Sequence, residues 1–394
     1  MDIQLANRVK RIKPSPTLAV TARAAELKAA GQDIVGLGAG EPDFDTPQHI
    51  KEAAIKAIHD GKTKYTAVEG IPSLRAAISE KMQNFNQLRY NPDQIIVSTG
   101  GKQCIYNLMQ AVIQEGDEVI IPAPYWVSYP DMALLADGTP VFIQTDIHQR
   151  FKITPEQLEA AITPKTKMLI LNSPSNPTGM AYSKKELIAL SEVLLKHPHV
   201  LIATDDMYEH ILWTDEPYSN IVMVCPDLYD RTIVLNGVSK AYSMTGWRIG
   251  YCCGPLSLIK PMKNIQSQST SNPCSIAQAA AEAALRGGME TVHEMVKVFK
   301  QRHDYLVKEL NSIDGVQCAP GDGTFYAFPR VQDIIDRMPN INSDLQLAEH
   351  LITTVGLALV PGSAFGSEGF MRLSFATSMD ILEKAIERMK KAFS

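Results

Sequence analysis

A chain of 394 residues is longer than one ordinary core needs and predicts about two domains, each of roughly 100–200 residues. Hydrophobic residues make up 45% and charged residues 21%, the balance of a soluble globular protein and not of a disordered one. Lys and Arg number 38 against 43 Asp and Glu, a formal net charge of -5, which is too mild to imply a nucleic-acid or membrane partner.

The start, "MDIQLANRVKRIKPSP", has no apolar signal core, so a cytoplasmic protein is expected. No apolar run approaches the roughly 18–20 residues of a membrane helix. The six cysteines show no C-x-x-C spacing, and Cys252 and Cys253 are direct neighbours, which suits free thiols better than a disulfide framework.

From about Asp93, short apolar runs alternate with helical patterns. The runs cover 95–99, 118–123, 140–144, 167–173, 200–206, 232–237 and 248–254. Between them lie helix-like segments such as "KQCIYNLMQAVIQEG", with Ile105, Leu108, Met109 and Val112 on one face. "SKKELIALSEVLLKH" is opened by a cap-like Ser183 with Glu186 three residues on. Runs apolar on both faces and joined by helices predict an α/β fold, its mostly parallel seven-stranded sheet held between helix layers. Ligands of such sheets gather at the carboxyl ends of the strands.

After about Ser275 the pattern changes. One long helical stretch runs through "AAAEAAL" and "VHEMVKVFKQRHDYLVKEL". A turn-rich "CAPGDGTFYAFPRV", another helix and the short runs "LALVPG" and "MRLSFAT" follow, and a final helix carries Leu382, Ile386, Met389 and Phe393 as its apolar stripe. This predicts a smaller α+β domain of residues 1–45 plus 282–394, beside a large domain of residues 46–281.

Five polar stations fall at or after predicted strand ends. "STGGKQ" runs a glycine pair into a helix, where free N–H groups and the helix dipole suit a phosphate. It is no Walker A loop, since Ile96 and Gln103 replace the required Gly and Ser/Thr, and a plain tight turn explains it as well. "PYWVSYP" offers rings, of which Trp126 is a stacking candidate or simply core. "NSPSNPTG" holds Asn176 in a proline-bounded turn where its amide can donate. "TDDMYEH" puts a carboxylate at a strand end, where burial calls for a positive partner, with Tyr208 nearby. "VLNGVSKAYSMTGWRIGY" sets Lys240 among small residues, with Arg248 eight positions on. A desolvated lysine can form an imine with an aldehyde, and an arginine can grip a phosphate. Together these groups match the needs of pyridoxal phosphate.

With "KPSPTLAV", "AGEPDFDTP", "KYTAVEGIPSLR", "NSPSNPTG", "SKAYSMTGWRIGY" and "MRLSFAT" in this order, nearly the whole chain resembles the class I aminotransferases of fold type I, particularly the bacterial aspartate aminotransferases of the prephenate-active branch. The resemblance implies pyridoxal phosphate as cofactor and Lys240 as its Schiff-base lysine and later the base. It implies Asp205, rather than Asp206, on the pyridine nitrogen, and Tyr208 and Asn176 on the phenolic oxygen. Trp126 would be the stacking ring, while Arg248, Ser239, Gly101 and Lys102 would serve the phosphate side. Tyr65 would reach the phosphate of a second subunit, implying a homodimer. Arg372 would hold the substrate α-carboxylate with the Gly40 backbone, where Trp126 and Asn176 also border the substrate. One departure stands out: Gly237 occupies the first serine position of "S-x-S-K", removing a phosphate contact of roughly 1.5–3 kcal/mol.

The expected reaction is ping-pong transfer of an amino group from aspartate to 2-oxoglutarate, with prephenate as a further acceptor. Lys102, with Thr17 nearby, is the candidate for the distal carboxylate. The alternatives are an aminotransferase for aromatic or neutral amino acids and a lyase using the same cofactor. A nicotinamide oxidoreductase would need G-x-G-x-x-G after an early strand, and "GLGAGEP" has another spacing. No metal site is expected, since the histidines form no H-E-x-x-H pair and "HPH" at 197–199 reads as a surface turn.

Overall fold

Runs that are apolar on both faces can be satisfied only between two layers, and that constraint organises the chain. The structure, a computed structural model, describes residues 3–393. A short β1 (Val35–Gly36) precedes β2 (Ile95–Ser98), β3 (Glu118–Ala123), β4 (Thr139–Gln144) and β5 (Thr166–Asn172). Next come β6 (Leu201–Asp205), β7 (Thr232–Gly237) and β8 (Gly250–Cys253). Strands β2 to β8 form one seven-stranded sheet in the order β2-β8-β7-β6-β5-β3-β4. Only β8 runs against the rest, antiparallel to both β2 and β7. Each predicted run thus supplies one strand.

Alternate residues along the strands go to opposite layers. Ile96, Val119, Ile121, Ile170 and Ile233 pack with Ile105, Leu108 and Met109 of the helix Gly101–Val112. Ile95, Val97, Ile120, Leu169 and Ile202 belong to the other core, with Leu187, Leu190 and Leu194 of the helix Lys184–Lys196. That helix opens on the expected capping box, the Ser183 hydroxyl accepting from the Glu186 N–H.

The later strands are β9 (Tyr326–Ala327), β10 (Leu357–Ala358), β11 (Val360–Pro361) and β12 (Met371–Ser374), with five α-helices between Ser275 and Phe393. β12 lies between β11 and β9 in a small antiparallel sheet. β10 pairs in parallel with β1, tying the N-terminal segment to this part of the chain. Ala24 of the helix Pro16–Ala29 completes that junction against Ile352 and Ala358.

Two expectations need correction. The single long helix after Ser275 is two, Ser275–Arg286 and Glu290–Asn311, because Gly287 and Gly288 end the first, Gly288 at φ 83°. The run 248–254 is a strand only from Gly250, since Arg248 adopts the left-handed conformation at φ 55°.

Gly250 marks a close approach that admits no side chain. A Cβ there would lie 2.3 Å from the Gly101 nitrogen and 2.5 Å from the Gly100 carbonyl carbon. Both neighbours are backbone and cannot swing aside. Gly250→Ala is expected to lower unfolding stability by about 1–3 kcal/mol, read from denaturant unfolding, and unchanged stability would show that the turn shifts freely.

Candidate active site

The direction of the strands decides which residues meet. In the parallel strands the carboxyl ends share one edge, so Asn172 and Asp205 finish side by side. β8 runs the other way, and its beginning lies at that edge, with Arg248 just before it. Behind β2 comes the turn Thr99–Gly100 and then the amino end of the helix Gly101–Val112. After β7 comes Lys240.

A cavity of about 350 Å³ opens there. Gly40, Gly101, Lys102, Trp126, Asn176 and Asp205 line it, as do Thr17, Tyr208, Ser239, Lys240, Arg248 and Arg372. Tyr65 is not among the lining residues and is 93% exposed.

Lys240 is half-buried, its accessibility being to the cavity that it lines, and its Nζ donates to the Gly40 carbonyl at 2.6 Å. Burial, reinforced by the charges of Arg248 and Arg372, pushes its ammonium down to about 8. The amine is therefore available as a nucleophile near neutral pH.

Asp205 is buried at the end of β6. Its Oδ2 accepts from the Tyr129 hydroxyl at 2.6 Å and its Oδ1 from the Met207 N–H at 3.3 Å. Burial raises its pKa, with those donors and Lys240 opposing. A carboxylate so placed, with no cation in contact, suits a protonated ring nitrogen. Asp206 turns away, accepting from Thr204 at 2.6 Å and Asn220 at 2.7 Å, and does not line the cavity.

Arg372 is 2% exposed and bonds only to neutral acceptors, Asn176 Oδ1 at 2.9 Å and the Gly38 carbonyl at 2.7 Å. Its guanidinium sits 4.4 Å from the Tyr326 ring centroid and 4.9 Å from that of Phe365. Among the described residues its buried Nε finds no partner. Burial lowers its pKa. The Gly40 carbonyl accepts from Lys240, and the Gly38 carbonyl supplies the backbone contact of Arg372.

The phosphate side is built from the glycine turn. A Cβ on Gly100 would lie 2.3 Å from an Arg248 nitrogen, so the bare backbone lets the guanidinium approach the helix terminus. Lys102, at the first turn, holds its Nζ 5.1 Å from the Trp126 ring centroid. Partial burial and then Arg248 lower its pKa. At Gly237 a Cβ would meet the Ile249 carbonyl at 3.0 Å, so a serine there would have to displace β8 slightly.

Two participants escape a reading of the sequence alone. Tyr129 stands in the quoted "PYWVSYP", but its bond to Asp205 spans 76 residues. Tyr326, in the turn-rich segment, places its hydroxyl 3.1 Å from that of Tyr208 while its ring underlies Arg372.

These groups fit pyridoxal phosphate on the chemistry of the donor set. Among the described residues, Lys102, Lys240, Arg248 and Arg372 all face the cavity without an ion pair. A phosphate and a carboxylate are the anions that would complete them. In the cofactor-free chain the low pKa of Lys240 has a thermodynamic consequence. Below about pH 8 the folded state carries a charge that it disfavours, and from about 8 to 10.5 only the unfolded state holds the proton, so stability rises with pH across that window. Lys240→Met is expected to be more stable than the parent at pH 7, the gap closing by about pH 10.5. Denaturant unfolding across that range measures it; a gap independent of pH would assign the effect to packing.

Residues 32–389 match the family described as aminotransferase class I and II. The chain is 58% identical over 397 aligned positions to the aspartate/prephenate aminotransferase of Nitrosomonas europaea, covering 100% of both. It is 54% identical to that of Cereibacter sphaeroides, covering 98% of each. Among solved structures, the aspartate aminotransferase of Rhizobium meliloti superposes with a TM-score of 0.96 at 48% identity, covering 100% of this chain and 99% of that one. The Thermus thermophilus aspartate aminotransferase with maleate gives 0.92 at 42%, covering 99% and 100%. The chain therefore belongs to the class I and II aminotransferase family and is a pyridoxal-phosphate-dependent aminotransferase.

Proposed function

We propose that this aminotransferase moves the amino group of aspartate to 2-oxoglutarate, and that prephenate is a further acceptor. The observation that carries the proposal is a cavity lined by two cations besides Lys240 and Arg248, the buried Arg372 and the exposed Lys102. Thr17 lines the same cavity, and its buried hydroxyl has no partner among the described residues. Two carboxylates on one small molecule would satisfy both cations. The names of the relatives point the same way, and the Thermus thermophilus structure was solved with maleate, a dicarboxylate.

In this reading Lys240 carries the cofactor and Asp205 keeps its ring nitrogen protonated. Tyr208 and Asn176 donate to its phenolic oxygen, Trp126 stacks on its ring, and Arg248, Ser239 and the Gly101–Lys102 turn hold its phosphate. Pyridoxal phosphate supplies an aldehyde that captures amino groups and a ring that accepts the electron pair released at the substrate Cα. Arg372 pairs with the α-carboxylate and so aims the Cα–H bond at the Lys240 amine. That amine, depressed to about 8, takes the Cα proton and returns it during the same half-reaction. Tyr129 steadies Asp205, and Tyr326 steadies Tyr208 and Arg372 together.

The homodimer belongs to the same reading. The 93% exposure of Tyr65, together with exposed Ile3 and Leu5 on the N-terminal arm, supports a role against a second copy. So does the division into residues 46–281 and residues 1–45 with 282–394, supported by the pairing of β1 with β10; residues 1, 2 and 394 lie outside the described residues. A cytoplasmic setting is supported by six unpaired cysteines. Among the described residues no helix is long and apolar enough to cross a membrane.

A visible spectrum followed by aspartate addition tests the proposal. The imine band should give way to that of the aminated cofactor and return with 2-oxoglutarate, and borohydride should fix the cofactor on Lys240. Attachment elsewhere, or a spectrum indifferent to aspartate, would falsify it. A second expectation concerns the distal carboxylate. Lys102→Ala should lower kcat/KM for aspartate about tenfold for each 1.4 kcal/mol lost while sparing a neutral amino acid; equal losses on both would return Lys102 to the phosphate alone.

A further inference from the structure

Behind the cavity floor, and outside its lining, lies a buried polar cluster centred on Glu209, which is 2% exposed. One carboxylate oxygen accepts from Asn236 Nδ2 at 2.6 Å and from the Lys81 ammonium. The other accepts from Asn86 Nδ2 at 2.9 Å. Burial opposes the charge on Glu209, yet Lys81 and the Asn86 amide hold its pKa below the ordinary value. His210, 3.4 Å away, is itself pushed down to about 4 by burial and stays neutral, which leaves Lys81 as the working cation.

The connections run to both halves of the reaction centre. Glu209 follows Tyr208 directly, and its N–H donates to the Asp206 carbonyl at 3.0 Å, so it closes the turn that leaves β6 after Asp205. Asn236 sits in β7, and its Oδ1 accepts from the Gly237 N–H at 2.7 Å, three residues before Lys240. A single carboxylate thus bridges the turn bearing Asp205 and Tyr208 to the strand end bearing Lys240.

We propose that Glu209 is a positioning residue for the transamination: through Asn236 it sets the distance between the Lys240 amine and the Asp205–Tyr208 side of the cofactor. The inference rests on the roles given above to Asp205, Tyr208 and Lys240. A merely structural ion pair would need Lys81 and Asn86 but not Asn236, and this distinction makes the test.

The experiment uses the holoenzyme of the parent, Asn236→Ala and Glu209→Gln. It reads kcat and KM for aspartate, the pH dependence of the bound cofactor's absorbance, and the thermal midpoint of each cofactor-free chain. Asn236→Ala, which leaves the Lys81 pair intact, should lose about tenfold or more in kcat with KM within about threefold. Its absorbance profile should shift in pH, and its thermal midpoint should fall, because the Gly237 N–H loses its acceptor, but by less than that of Glu209→Gln. Glu209→Gln should show the same kinetic loss together with a lower midpoint, because it leaves Lys81 buried without its counter-charge. If Glu209→Gln does not fold, Asn236→Ala carries the test alone. Parental kcat and a parental absorbance profile in Asn236→Ala overturn the inference while the reading of the site stands. A parent that does not transaminate aspartate overturns both.

Discussion

Four cationic side chains converge on one cavity, and none of them is neutralised by the protein among the described residues. Unit charges a few ångströms apart repel by about 1 kcal/mol in water and by more where water is scarce. Folding alone would not select such a cluster. Arg372 shows how it is tolerated. Its hydrogen bonds go to an amide oxygen and a carbonyl, and its faces to Tyr326 and Phe365, so it is solvated by dipoles and rings without losing its charge. A carboxylate entering this space meets a guanidinium already stripped of water and fixed in direction, the condition in which a charge-assisted pair is strongest. Lys240 answers the same field differently. It can shed its proton, and a lysine that does so becomes a nucleophile.

The sheet makes this concentration possible. In a wholly parallel arrangement every strand would deliver only its carboxyl end to the edge. The one reversed strand, β8, delivers its beginning, and so Arg248 comes to the glycine turn after β2. The left-handed backbone at Arg248 and the missing side chains at Gly100 and Gly250 all serve that meeting. A carbon atom at either glycine would occupy space that the guanidinium or the helix terminus now fills.

The strands were legible because burial on both faces leaves uninterrupted apolar runs, which turn residues delimit. The chemistry was legible where a residue type is costly in its setting, such as Lys240 after "IVLNGVS" or Asp205 after "VLIAT". Arg372, by contrast, was reached only through resemblance, since an arginine in "MRLSF" looks like any strand residue with one polar neighbour. Tyr129 and Tyr326 stayed hidden for a different reason. Their roles lie in contacts across 76 and 118 residues, and the direction of a tyrosine hydroxyl is set by topology and not by local pattern. The break at Gly287–Gly288 could have been read from the glycine pair, had helical periodicity not continued on both sides of it.

Three carboxylates in five residues, Asp205, Asp206 and Glu209, show why partners matter more than residue type. All three are buried. Lys81 and two amides keep Glu209 charged. Asp206, with a hydroxyl and an amide but no cation, is pushed up to about 7 by burial and by Glu209, so it is only partly ionised near neutral pH, and it does not line the cavity. Asp205 has a phenol and one N–H, enough to orient it and too few to neutralise it. With Glu209 paired and Asp206 turned away, the carboxylate that faces the cavity is that of Asp205. A ring nitrogen brought against it would keep its proton because, among the described residues, no cation is paired with that carboxylate.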